Sequence, residues 1–146
     1  MNKKSFWVAF IIGFTLLFFG VKYFLAQSTQ DRIMNDMIAG FTLAEQDLNA
    51  KLPLRIDEKT TLLRVKADGA VFTYEYAVND VENTGDKSAL IATFRSFVAP
   101  SVCNRVDMVR FMGYGARYVY SYSFEDGEVI GSFAFTKIEC PAAFQP

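Results

Sequence analysis

From residue 6 to residue 21 the chain carries no charge: FWVAFIIGFTLLFFGV. Lys22 interrupts this run, and Tyr23, Phe24, Leu25 and Ala26 resume it. A helix that crosses a bilayer needs about 20 residues, each rising roughly 1.5 Å. Residues 6–26 meet that length if Lys22 lies at an interface, its ammonium reaching the headgroups while its stem stays in lipid. Trp7 and Tyr23 stand near the two ends, where amphipathic rings favour the membrane–water boundary. No face of the segment is polar, which argues against a helix of a soluble domain. A cleaved signal peptide starts in the same way but needs small residues before the cut. Cleavage after Ala26 or Gly20 would place Phe24 or Phe18 at the −3 position, so the stretch reads as an uncleaved transmembrane signal anchor. No cysteine follows to carry a lipid.

Lys3 and Lys4 precede the anchor, and no acidic residue comes before Asp31. The positive-inside rule then predicts a cytoplasmic N-terminus. The expected arrangement is a cytoplasmic stub and anchor over residues 1–27 and an extracytoplasmic domain over residues 28–146. In a bacterium this is a single-pass inner-membrane protein with a periplasmic C-terminal domain. From Gln27 onward there are 12 Lys and Arg against 16 Asp and Glu, a net charge of −4. That balance disfavours nucleic acid and anionic lipid as ligands of the domain, since both reward basic patches. The two cysteines, Cys103 and Cys140, both follow the anchor, and in an oxidising compartment they are expected to form one disulfide.

Residues 28–52 form an amphipathic pattern. Ser28 or Thr29 can cap a helix with Asp31 in its first turn. Ile33, Met37, Phe41, Ala44, Leu48 and Leu52 share one face, and Pro53 ends the run. Residues 54–60 read as a charged connector. Residues 61–67 and 70–78 alternate about Asp68-Gly69, a strong hairpin signal. In the second strand Phe72, Tyr74, Tyr76 and Val78 share a face. After a polar loop, Leu90, Ile91, Phe94, Phe97 and Val98 mark a helix that Pro100 is expected to stop. A shorter helix over residues 101–112 would turn Val102, Val106 and Val109 inward, with Gly113 as its C-terminal cap. A second hairpin follows about Asp126-Gly127, with Tyr118, Tyr120, Tyr122 and Phe124 on one face of its first strand and residues 128–138 as its second. The predicted fold is α+β: a transmembrane helix, a long helix, and a four-stranded antiparallel sheet of two hairpins packed with two short helices.

Two resemblances arise. Gly40-Phe41-Thr42-Leu43-Ala44-Glu45 resembles the processing site of type IV pilins, in which glycine precedes FTLxE. In pilins that motif opens a long apolar helix. Here Gln46, Asp47 and Asn49 follow, so the match is read as coincidence. From Leu48 onward the layout resembles a group of small bacterial exported proteins. The resemblance rests on Asn49, Leu52-Pro53, Ile56-Asp57, Thr61-Leu62, Phe72, Tyr74, Tyr76, Val102-Cys103, Gly115, Tyr120, Tyr122, Asp126-Gly127 and Cys140. It implies an exported, disulfide-bonded domain and no particular activity.

Candidate chemistry is sparse. The chain has no histidine, which excludes His-based triads and most zinc sites; neither metal nor cofactor is expected. Asp57 with Glu58, and Glu45 with Asp47, read as solvated charges. Glu75 reads as the polar side of a strand. Gly113-Tyr114-Gly115 follows a helix, the wrong context for a phosphate loop. The unusual feature is a set of alternating tyrosines: Tyr74, Tyr76, Tyr118, Tyr120 and Tyr122. They suit either cross-strand packing or an aromatic surface for a partner. The function expected from these observations is non-catalytic: a membrane-tethered domain that binds another envelope protein, as an accessory subunit of a larger assembly. Alternatives are an immunity or inhibitor protein guarding the envelope against a toxin, and a carboxylate-dependent hydrolase.

Overall fold

The computed structural model describes residues 29–79 and 85–140. The transmembrane anchor expected over residues 6–26 lies outside them. Among the described residues no helix is long and apolar enough to cross a membrane. Two units are distinguished: residues 1–35, of which the described part is helical, and residues 36–146.

Helix α1 occupies residues 29–49, and residues 36–49 of it belong to the second unit. There it buries Met37 and Phe41, with Ala44 and Leu48 half-buried on the same face, as the three-and-four spacing predicts. Then come β1 (Leu54–Arg55), β2 (Thr60–Asp68), β3 (Val71–Val78), α2 (Lys87–Cys103), α3 (Val106–Gly113), β4 (Arg117–Phe124) and β5 (Val129–Phe135). The architecture is α+β. One five-stranded sheet runs in the order β1-β2-β3-β4-β5.

This sheet corrects the expected four-stranded antiparallel one in two ways. First, the charged connector contains β1, whose Leu54 and Arg55 pair with Leu62 and Thr61. Second, β3 and β4 are parallel, while all other pairs are antiparallel. The reason is connectivity. An antiparallel neighbour can follow a tight turn, whereas a chain that leaves β3 through α2 and α3 and returns to its side runs in the same direction. Both hairpins form as their glycines suggest. Gly69 has φ 57° and Gly127 has φ 89°, values at which a side chain would be strained.

The helices also depart from expectation. Pro100 does not stop α2, which continues to Cys103. Proline lacks the N–H that would bond to the Ser96 carbonyl. Ser96 lies on the exposed side, so water can satisfy that carbonyl. Asp86 caps the other end, its Oδ1 accepting from the Ala89 N–H at 3.0 Å. In α3 the buried residues are Met108 and Met112, while Val106 is 82% exposed and does not turn inward. α3 ends at Gly113, and Gly115, at φ 97°, takes the backbone turn into β4.

The core lies between the helices and one face of the sheet. Val65, Phe72, Tyr118 and Phe135 are buried there with Phe41 and Met112. The other face carries Arg64 and Glu75, paired across β2 and β3 by two hydrogen bonds of 2.9 and 3.0 Å. Glu75 is thus the polar side of its strand. Cys103, closing α2, is bonded to Cys140, which follows β5, with Cα atoms 5.4 Å apart.

Candidate functional site

Parallel pairing in register puts like beside like. Tyr74 lies opposite Tyr120, Tyr76 opposite Tyr122, and Phe72 opposite Tyr118. Residues separated by two along a strand share a face, so all five tyrosines point to the helix side. Tyr74 stacks on Tyr120 with ring centroids 5.0 Å apart, and Tyr76 on Tyr122 at 5.1 Å. Tyr74 and Tyr76 stand 6.4 Å apart along β3, and the Tyr76 and Tyr120 rings lie nearly parallel with centroids 6.3 Å apart. Spacings of this size fall in the favourable range for offset aromatic pairs.

Other elements close around this ladder. Phe94 of α2 stacks on Tyr122 at 4.6 Å. Phe133 of β5 stacks on Tyr120 at 5.6 Å and Tyr122 at 5.8 Å. Phe41 of α1 meets Tyr118 edge-on at 5.7 Å. As a result Tyr118, Tyr120 and Tyr122 are only 3%, 7% and 6% exposed, while Tyr74 and Tyr76 are half-buried. The strand alternation indicates which face the tyrosines take. It carries no sign of Phe94 or Phe133, which arrive from α2 and from the far strand.

The hydroxyls behave differently from the rings. None of the five donates or accepts a hydrogen bond among the described residues. Burial pushes Tyr76, Tyr118 and Tyr120 well above the usual phenol range, and their mutual proximity adds to it. Tyr122 is pushed up to about 12, by burial first and then by the Asp57 carboxylate. Tyr74 is raised by burial, with Arg105 partly opposing. These phenols therefore stay neutral at physiological pH and can both donate and accept. Arg105 and Asp107, at the start of α3, pair at 3.0 Å and act electrostatically on Tyr74 and Tyr118.

The carboxylates singled out in the sequence are engaged in local structure or face solvent. Asp57 and Glu58 are exposed in the β1–β2 turn, where Asp57 Oδ1 accepts from the Lys59 N–H at 2.8 Å. Glu75 is held by Arg64, and Asp47 is exposed. Among the described residues no group of three or more His, Cys, Asp or Glu could hold a metal. Tyr118, Tyr120 and Tyr122 are therefore part of the core, and only Tyr74 and Tyr76 keep a partly exposed surface.

No known protein family and no curated relative matches the chain. Several solved structures share its fold. A protein of Pseudomonas aeruginosa described as secreted superposes with a TM-score of 0.59 at 14% identity, over 73% of this chain and 95% of that one. A pilotin of the Vibrio vulnificus type II secretion system gives 0.58 at 17% identity, over 77% and 96%. A type II secretion pilotin of Vibrio cholerae gives 0.52 at 20% identity, over 73% and 94%. At these identities the likeness is one of fold alone, shared with two type II secretion pilotins and a protein described as secreted.

Proposed function

We propose that residues 28–146 form a non-catalytic binding domain outside the cytoplasm, tethered to the inner membrane by residues 6–26, and that its ligand is a segment of another envelope protein. The role is that of an accessory subunit in a larger assembly. The fold shared with two pilotins supports this class of role, and the Cys103–Cys140 disulfide suits an oxidising compartment. The observation that carries the reading is the state of the tyrosines. Their rings are packed, and their hydroxyls have no hydrogen-bond partner among the described residues. Tyr74 and Tyr76, half-buried, are the part of the ladder a ligand would cover. Such a ligand needs apolar side chains for the rings and backbone or side-chain polar groups for the phenols.

The test is in vivo crosslinking of the intact chain, followed by purification from membranes. An envelope protein is expected to copurify, and Tyr74→Phe with Tyr76→Phe should reduce its recovery while leaving the fold unchanged. Each lost hydrogen bond should cost about 1 kcal/mol, roughly fivefold in affinity. Recovery of the chain alone, or recovery indifferent to both substitutions, would overturn the proposal.

A further inference from the structure

The two margins of the sheet are finished differently. Beyond the two-residue β1, the outer edge of β2 is closed by Asn49. Its Nδ2 donates to the Val65 carbonyl at 2.9 Å and its Oδ1 accepts from the Val65 N–H at 3.0 Å. On the opposite margin β5 has a strand neighbour on one side only among the described residues. Its sequence, VIGSFAF, contains no charge and no proline, the devices that usually blunt an edge against strand addition.

An open groove of about 620 Å³ runs along this margin. Residues 130–134 line it in unbroken succession. A groove on a sheet face would be lined by every second residue, so this one follows the backbone edge. Its other wall is one face of α2, with Lys87, Ile91 and Arg95. A bare strand beside a helix is a geometry that receives an extended peptide. The groove is basic within a domain whose overall balance is acidic: Lys87, Arg95 and Arg117 line it against Glu139. Lys87 is taken by Glu128 and by the Val129 carbonyl at the start of β5, each at 2.7 Å, which leaves residues 130–134 as the open part of the strand; Glu139 accepts from the Thr136 N–H and hydroxyl. Arg95 lies over the Phe135 ring at 5.8 Å and acts electrostatically on Glu139 without forming an ion pair with it, and Arg117 forms no ion pair among the described residues.

We infer that β5 accepts an extended acidic peptide segment of a partner protein as a sixth strand, with carboxylates directed at Arg95 and Arg117. This surface meets the tyrosine ladder only at Phe133, and the inference stands if the ladder binds nothing. The probe is an eight-residue peptide alternating aspartate and valine, added to the full chain in neutral detergent and followed by fluorescence anisotropy and amide hydrogen exchange. Its controls are the lysine–valine counterpart and the acidic peptide with alternate backbone nitrogens methylated.

The acidic peptide should bind, and outward amides of residues 130–134 should become protected. Methylation should weaken binding about tenfold or more, as expected for two lost backbone hydrogen bonds. Arg95→Gln and Arg117→Gln should each weaken it about fivefold or more, as expected for a charge-assisted hydrogen bond, while Tyr76→Phe leaves it unchanged. Equal binding of the lysine peptide, or indifference to methylation, would overturn the inference. So would amides of β5 already fully protected in the free chain, which would mean that the chain's own tail or a second copy covers the edge. Binding to phosphatidylglycerol vesicles without binding to the peptide would overturn it as well.

Discussion

Asn49 acts as a fragment of β-strand. Its amide supplies both the donor and the acceptor that Val65 would otherwise find in a neighbouring strand. Asn49→Ala should leave two part-buried backbone groups without partners and cost about 2 kcal/mol, measured by denaturant unfolding. Asn49→Asp keeps the acceptor and loses the donor, so it should be destabilising as well. Gly131 is set by space. A Cβ there would lie 2.9 Å from Cγ1 of Ile91 on α2, so Gly131→Ala should cost roughly 1–3 kcal/mol through overpacking. Ile91→Ala alone removes both Cγ1 and Cδ1, the atoms that a Cβ at Gly131 would meet. Combined with Gly131→Ala it should prove less destabilising than the two single changes summed, the signature of a direct contact. Neither role was legible in the sequence. An asparagine near a helix end and a glycine in a strand each have several ordinary readings, and what decides between them is a residue far along the chain.

At the level of elements, what the sequence made plain was local. Each hairpin is announced by an Asp-Gly pair between alternating runs, and the buried faces of β3 and β4 follow from that alternation. What it concealed was non-local. The parallel join of β3 to β4 depends on where two helices return the chain, and β1 is too short to show a period. Phe97 fits the helical stripe of α2 yet is 75% exposed, because the face it occupies meets neither the sheet nor α3 closely. The tyrosine positions were visible in sequence. Their stacking and unpaired hydroxyls depend on that same parallel register.

The ladder predicts a particular pH response. The ordinary phenol value is 10.0, and the folded values lie above it, at about 12 for Tyr122. Below pH 10 both states are protonated, and the full stability is present. Above it the unfolded chain releases protons first, so stability falls as pH rises towards the folded values. Equilibrium unfolding between about pH 7 and 12 should show a plateau and then a decline, and Tyr120→Phe should make that decline shallower. Since the Tyr120 hydroxyl has no hydrogen-bond partner among the described residues, the same substitution should change stability at pH 7 by less than about 1 kcal/mol.

Over the whole second unit, the disulfide joins the helix layer to the sheet: Cys103 ends α2, and Cys140 follows β5, 37 positions later. The chain-entropy argument gives at most about 4 kcal/mol for closing a loop of that length. Cys103→Ala with Cys140→Ala should lower the unfolding free energy by about 2–4 kcal/mol, and reduction of the wild type should do the same. Exchange of α2 and β5 amides should rise most, because those elements lose their covalent tie. The two cysteines were the plainest long-range statement in the chain, being the only two present.

The unequal margins of the sheet set a limit on how copies can associate. Stacking of strands without end requires that every molecule present two receptive borders, one to dock with and one to be docked upon. Here β1 pairs with Thr61 and Leu62 and Asn49 occupies Val65, so the first border is largely taken among the described residues. If β5 accepts a strand as inferred, each copy then has one receptive border, and addition by a foreign strand or a sibling would end at a pair rather than propagate.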